Sequence, residues 1–159
     1  MQTGHTRRWA PVLWLLLGLF CLRVTGQIVV ALYAPPFLPP MEEWYSGLIP
    51  YGPLLTAQLT IILLIAKICV DFTRGNGFFI RPRPVFRRGV LVFGCLYLAS
   101  MVVRYVVRMA LFPDERWIGG CIPIVFHWVL ASFVITFGLY HRTDYGSKNS
   151  PRHRTTLPT

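Results

Sequence analysis

Acidic residues are scarce in this 159-residue chain, with six Asp and Glu against sixteen Lys and Arg. Charge of either sign is also short, at 14% of residues, where a soluble domain carries about 25%. Such a chain is neither disordered nor an ordinary cytosolic enzyme, because 54% of it is hydrophobic and a core this small could not hide that much apolar surface in water. The four cysteines, Cys21, Cys69, Cys95 and Cys121, contain no Cys-x-x-Cys pair. Their spread, one to each apolar stretch, excludes a disulfide-rich scaffold. It also argues against a thiol–disulfide relay or a zinc site. Glu-x-x-His, His-Glu-x-x-His, Gly-x-Ser-x-Gly, a Walker loop and a Rossmann glycine pattern are all missing, so no catalytic or metal-binding set is offered. No internal repeat supplies the paired halves of an alternating-access carrier.

The chain does have long apolar runs. A bilayer core needs about 20 apolar residues per helix, and four stretches qualify, at about 9–33, 54–72, 90–112 and 118–140. Each is bounded by breakers: Pro35-Pro36, Pro39-Pro40, Pro50, Pro53, Gly75-Asn76-Gly77, Pro82, Pro84 and Pro113. The first stretch competes with a signal-peptide reading, since Arg7-Arg8 precedes an apolar run. Arg23 and Gln27 stand where a small-residue cleavage motif belongs, however, and the apolar run resumes through Ile28–Tyr33. The sequence therefore predicts an all-α integral membrane protein, a four-transmembrane-helix up-down bundle. Residues 1–145 form one domain, and 146–159 form a basic, disordered cytoplasmic tail.

Charge sorts by side. Arg7 and Arg8, then Arg74, Arg81, Arg83, Arg87 and Arg88, then Arg142, Lys148, Arg152 and Arg154 all fall on one side, with Asp71 and Asp144. The other side holds Glu42, Glu43, Asp114 and Glu115 with Arg116 as its one base. By the positive-inside rule both termini are cytoplasmic, in the plasma (inner) membrane. Most of the net charge of +10 is thus topology and attraction to anionic lipid, and nucleic acid is not an expected partner.

Four bases remain inside the spans: Arg23, Lys67, Arg104 and Arg108. Charges at that depth are costly and are read as functional by default. Lys67 lies near an end, where it can snorkel, and has Asp71 four residues on. Arg108 is near the other face, within reach of Asp114 and Glu115. Arg23 and Arg104 lie deep. Gln27 follows Arg23 by one turn, Gln58 lies about 6 Å below the outer end of its span, and His127 about 14 Å below the outer end of its own. All four spans thereby place a polar group in the outer half of the bilayer. On the third span, Tyr97, Met101, Arg104 and Arg108 form one stripe, which is expected to face the bundle interior. These positions predict an outward-facing pocket of Arg23, Gln27, Gln58, Arg104 and His127. Its lid or counter-charges would come from Glu42, Glu43, Trp44 and Tyr45 in the loop Pro35–Pro53. The alternative is structural, with the buried arginines holding helices together through Gln27, Glu42, Glu43 or backbone carbonyls.

A positive pocket favours an anionic or electron-rich ligand such as a quinone, a lipid headgroup, a carboxylate or a phosphate. Haem within a single chain is disfavoured, because His127 is the one histidine inside a span and His141 is about 21 Å further along the same helix. The leading reading is a non-enzymatic accessory subunit of a larger membrane complex, with membrane lipids and other subunits or further copies as partners. The alternative is a small membrane enzyme or carrier for an anionic membrane-soluble substrate, using Arg23, Arg104 and His127. A purely structural scaffold is a third class.

Overall fold

A computed structural model of the chain describes residues 3–44, 49–80, 84–112 and 121–148. All regular structure among them is helical: α1 (Thr3–Tyr33), the single turn α2 (Met41–Trp44), α3 (Tyr51–Arg74), α4 (Pro84–Leu111) and α5 (Ile122–Lys148). In α1, α3, α4 and α5, apolar stretches of 28, 24, 24 and 21 residues are long enough to cross a bilayer. The polytopic membrane architecture follows from them.

The element ends reflect local chemistry. α1 stops where Ala34 turns to φ +41° ahead of Pro35-Pro36. α3 begins directly after Pro50, which cannot donate a hydrogen bond, and its C-cap Gly75 adopts the left-handed φ of 69° that glycine takes without penalty. The fourth span is helical from Ile122, and its predicted start at Ile118 lies outside the described residues. α5 continues beyond Tyr140 to Lys148, so the first residues assigned to the basic tail are helical.

Packing is uneven. α4 lies along α5, and α1 lies along both α3 and α5. Among the described residues no Cα of α3 comes within 8 Å of a Cα of α4. Glycine sets the α4–α5 approach: a Cβ at Gly94 would stand 2.9 Å from Ile135, and one at Gly138 would stand 3.1 Å from the Leu91 backbone. Small residues let helix backbones close in this way within lipid, where no hydrophobic force drives them together.

The dry core occupies the end of the bundle near the α1 N-terminus. Leu13 and Leu17 of α1 meet Ile65, Ile68, Cys69 and Phe72 of α3 and Phe133 and Tyr140 of α5. Phe72 packs edge-on to Tyr140, with ring centroids 4.6 Å apart, and is tilted against Phe137 at 6.0 Å. At the same end Lys67 pairs with Asp71, as their spacing predicts. The lysine side chain is 57% exposed and the aspartate 3%, so the ammonium snorkels while the carboxylate stays inside. Asp71 also accepts the Phe79 N–H at 3.4 Å, which ties the turn after α3 back onto its own helix.

Candidate functional site

The opposite half of the bundle is polar. Arg23 lies ten residues before the end of α1, and Gln58 is seven residues into α3. Arg104 is seven residues before the end of α4, and His127 is five residues into α5. At the helical rise these positions lie about 8–15 Å from the helix ends on one side of the bundle. Arg23, Gln58, Arg104 and His127 line one cavity of about 290 Å³. Its remaining wall is apolar, chiefly Phe20, Leu54, Ile61, Phe126 and Leu130. The cavity fills the space where α3 and α4 fail to meet, backed by α1 and α5.

Gln27 does not line this space. It stands behind it, with no exposed surface, and organises it. Arg23, itself 7% exposed, donates from Nη1 to Gln27 Oε1 and from Nη2 to the Trp44 carbonyl at 2.7 Å. The same Gln27 oxygen accepts from Gln58 Nε2 at 3.2 Å. Since a guanidinium only donates, Arg23 dictates which way the Gln27 amide faces, and Gln27 in turn dictates Gln58. Two buried amide atoms are left without a partner, Gln27 Nε2 and Gln58 Oε1. Unpaired buried polar atoms are uncommon in native structures.

The loop between α1 and α3 enters through its backbone. Trp44 is buried, with its ring against Gly26 of α1 and its indole N–H donating to the Pro39 carbonyl at 3.0 Å. The expected carboxylate partners are replaced here. Among the described residues Arg23 bonds neither Glu42 nor Glu43, and donates to Gln27 and to the Trp44 carbonyl. Tyr45 lies outside the described residues, and Ile49 reaches the cavity wall.

α4 departs from the expected inward stripe. Tyr97, Met101 and Arg108 are half-buried, but Arg104 is exposed at the flank, because among the described residues α5 is the one helix that packs along α4. Among the described residues Arg104 has no hydrogen-bond or ion-pair partner. Arg108 lies over the Phe112 ring at 5.6 Å, while Asp114 and Glu115, its expected partners, are outside the described residues. Tyr97 was not among the predicted pocket residues, yet its hydroxyl lies 2.6 Å from His127 Nδ1. That contact orients the imidazole, and its tautomer sets which nitrogen carries the proton. The stripe containing Tyr97 was visible in the sequence. Its partner thirty residues away on α5 was not.

The cavity thus sets two guanidiniums and an imidazole on an otherwise apolar wall, with the unspent, buried amide oxygen of Gln58 close behind it. Compared with known protein families, with characterised proteins and with solved structures, the chain matches none.

Proposed function

We propose that the chain is a non-enzymatic accessory subunit of a larger complex in the plasma (inner) membrane, with both termini cytoplasmic. Its outward-facing cavity receives the polar head of a quinone, a lipid or another anionic or electron-rich ligand. The observation that carries this reading is Arg104, a guanidinium about 10 Å from the end of its span, on the wall of a cavity shared with three other polar groups, with no hydrogen-bond or ion-pair partner among the described residues. Such a charge costs about 2.5–3.5 kcal/mol to insert, and a bound ligand or a neighbouring subunit would offset that cost. The unpartnered flank of α4 is where such a subunit would lie.

The test is purification in mild detergent followed by native mass spectrometry and analysis of extracted lipids and pigments. Wild-type protein is expected to retain companion polypeptides together with a small amphipathic molecule, and Arg104→Leu to lose the small molecule. A wild-type chain that runs alone and ligand-free, with Arg104→Leu equally stable, overturns the reading. The enzyme alternative draws on the Tyr97–His127 contact, which couples a phenol and an imidazole at the cavity. It gains ground if His127→Ala abolishes a cellular phenotype at unchanged expression.

A further inference from the structure

We propose that the occupant of the cavity is the head of an anionic, hydroxyl-bearing glycerophospholipid, which enters sideways from the bilayer through the gap between α3 and α4. This rests on the reading of the cavity as a ligand site and narrows it to one class of ligand.

The first argument is the direction of the amide relay. Arg23 can only donate, so Gln27 turns its oxygen toward the guanidinium. That oxygen also takes the Gln58 N–H. Gln58 is therefore left with its own oxygen unspent, on a side chain only 7% exposed that lines the cavity. An occupant that satisfies Gln58 Oε1 must bring an O–H or N–H donor.

The second argument is charge. Arg104 and Arg23 place two guanidiniums on the cavity wall, and Arg104 has all of its donors unused by the described residues. The occupant must also bring anionic acceptor oxygens, and a phosphodiester meets a guanidinium in a paired geometry.

Together the two demands discriminate. An oxidised quinone or an ionised fatty acid has acceptors but no donor, so either would leave Gln58 Oε1 unpaired. A zwitterionic ethanolamine head has donors, but brings an ammonium toward two arginines. A glycerol phosphodiester has both the anion and the free hydroxyl. The route follows from the fold. The two helices flanking the mouth do not approach each other, and Arg104 stands exposed between them. The cavity, at about 290 Å³, has room for a head but not for two acyl chains. Those chains would leave past Leu54 and Ile61 into the hydrocarbon.

The experiment uses the full chain, purified and delipidated, with native mass spectrometry and thermal-shift titration of four probes: phosphatidylglycerol, phosphatidylmethanol, a short-chain quinone and soluble glycerol 1-phosphate. Phosphatidylmethanol keeps the phosphodiester charge and lacks the hydroxyls. Wild-type protein is expected to bind phosphatidylglycerol about tenfold tighter than phosphatidylmethanol, a factor appropriate to one buried hydrogen bond. Gln58→Leu removes that difference, and Arg104→Gln weakens both lipids. The wild-type comparison needs no variant, so a folding defect in either mutant leaves the test intact. Equal affinity for the two lipids overturns the proposal, as does glycerol 1-phosphate competing as well as the lipid. Quinone binding without lipid binding overturns it too while the broader cavity reading stands. Binding of none of the four removes both.

Discussion

Arg23 donates to Gln27 and to the Trp44 carbonyl, and each acceptor is itself held in place. Gln27 is fixed by Gln58, and Trp44 is fixed by its indole bond to Pro39 and by the face of Gly26 under its ring. The absent side chain at position 26 is therefore part of the arginine's environment, although the two never touch. A Cβ there would stand 2.7 Å from the Trp44 ring, which is tethered and cannot swing aside cheaply. Gly26→Ala is expected to displace Trp44, loosen the carbonyl from Arg23 and destabilise the protein by about 1–3 kcal/mol, the usual cost of overpacking. Unfolding in detergent followed by tryptophan fluorescence reads both effects. An unchanged midpoint with unchanged emission contradicts the linkage.

Helix α4 depends on one neighbour. It is packed along α5, with Gly94 and Gly138 providing the close approach, and among the described residues no other helix packs along it. A leucine at position 138 would meet the Leu91 backbone, which can move only if the whole helix moves. Gly138→Leu is therefore expected to push α4 away from α5, carrying Arg104 off the cavity wall and separating Tyr97 from His127. Chemical cross-linking between engineered cysteines at positions 98 and 131 measures the separation, and the yield should fall severalfold. Gly138→Ala is the milder control, with an intermediate yield. If cross-linking is unaffected in the leucine variant, the glycine contact does not set the helix spacing. The contrasting end of the molecule, where α1, α3 and α5 share Phe72, Leu13 and Tyr140, is expected to remain intact in both variants.

At the scale of the whole chain, eleven Lys and Arg on one side of the spans against one on the other predict an orientation with both termini cytoplasmic. Reporter fusions check it: a fluorescent protein should light up at either terminus, and alkaline phosphatase should be active only in the two outer loops, around 35–50 and 113–117. Phosphatase activity at a terminus refutes the orientation. What could be read in advance depended on distance along the chain. The four spans were legible because a helix that crosses lipid must be apolar over its own length. The Lys67–Asp71 and Arg23–Gln27 contacts were legible because four residues make one helical turn. Arg23, Gln58, Arg104 and His127 could be placed in one half of the bilayer by counting residues, and they do line one cavity. Three things were not legible. The Trp44 acceptor is a backbone carbonyl, which every residue has. Tyr97 meets His127 across two helices, which counting along one cannot show. The order in which the helices lie beside one another, and hence the exposure of Arg104, depends on contacts between helices, such as the glycine approach of α4 to α5, that no pattern along one span reveals.

That order has a consequence for what counts as the folded unit. Taken by closest backbone approach, the spans run α3, α1, α5, α4, and among the described residues no Cα of the first comes within 8 Å of one of the last. This order is an arc whose members are tied at one end by Phe72 of α3 against Phe137 and Tyr140 of α5, while the other end holds the cavity. A molecule bridging Gln58 on one arm and Arg104 on the other would act as a keystone, setting the width of the arc and stiffening both arms together. Stability in detergent should then depend on what was extracted with the protein as much as on its sequence.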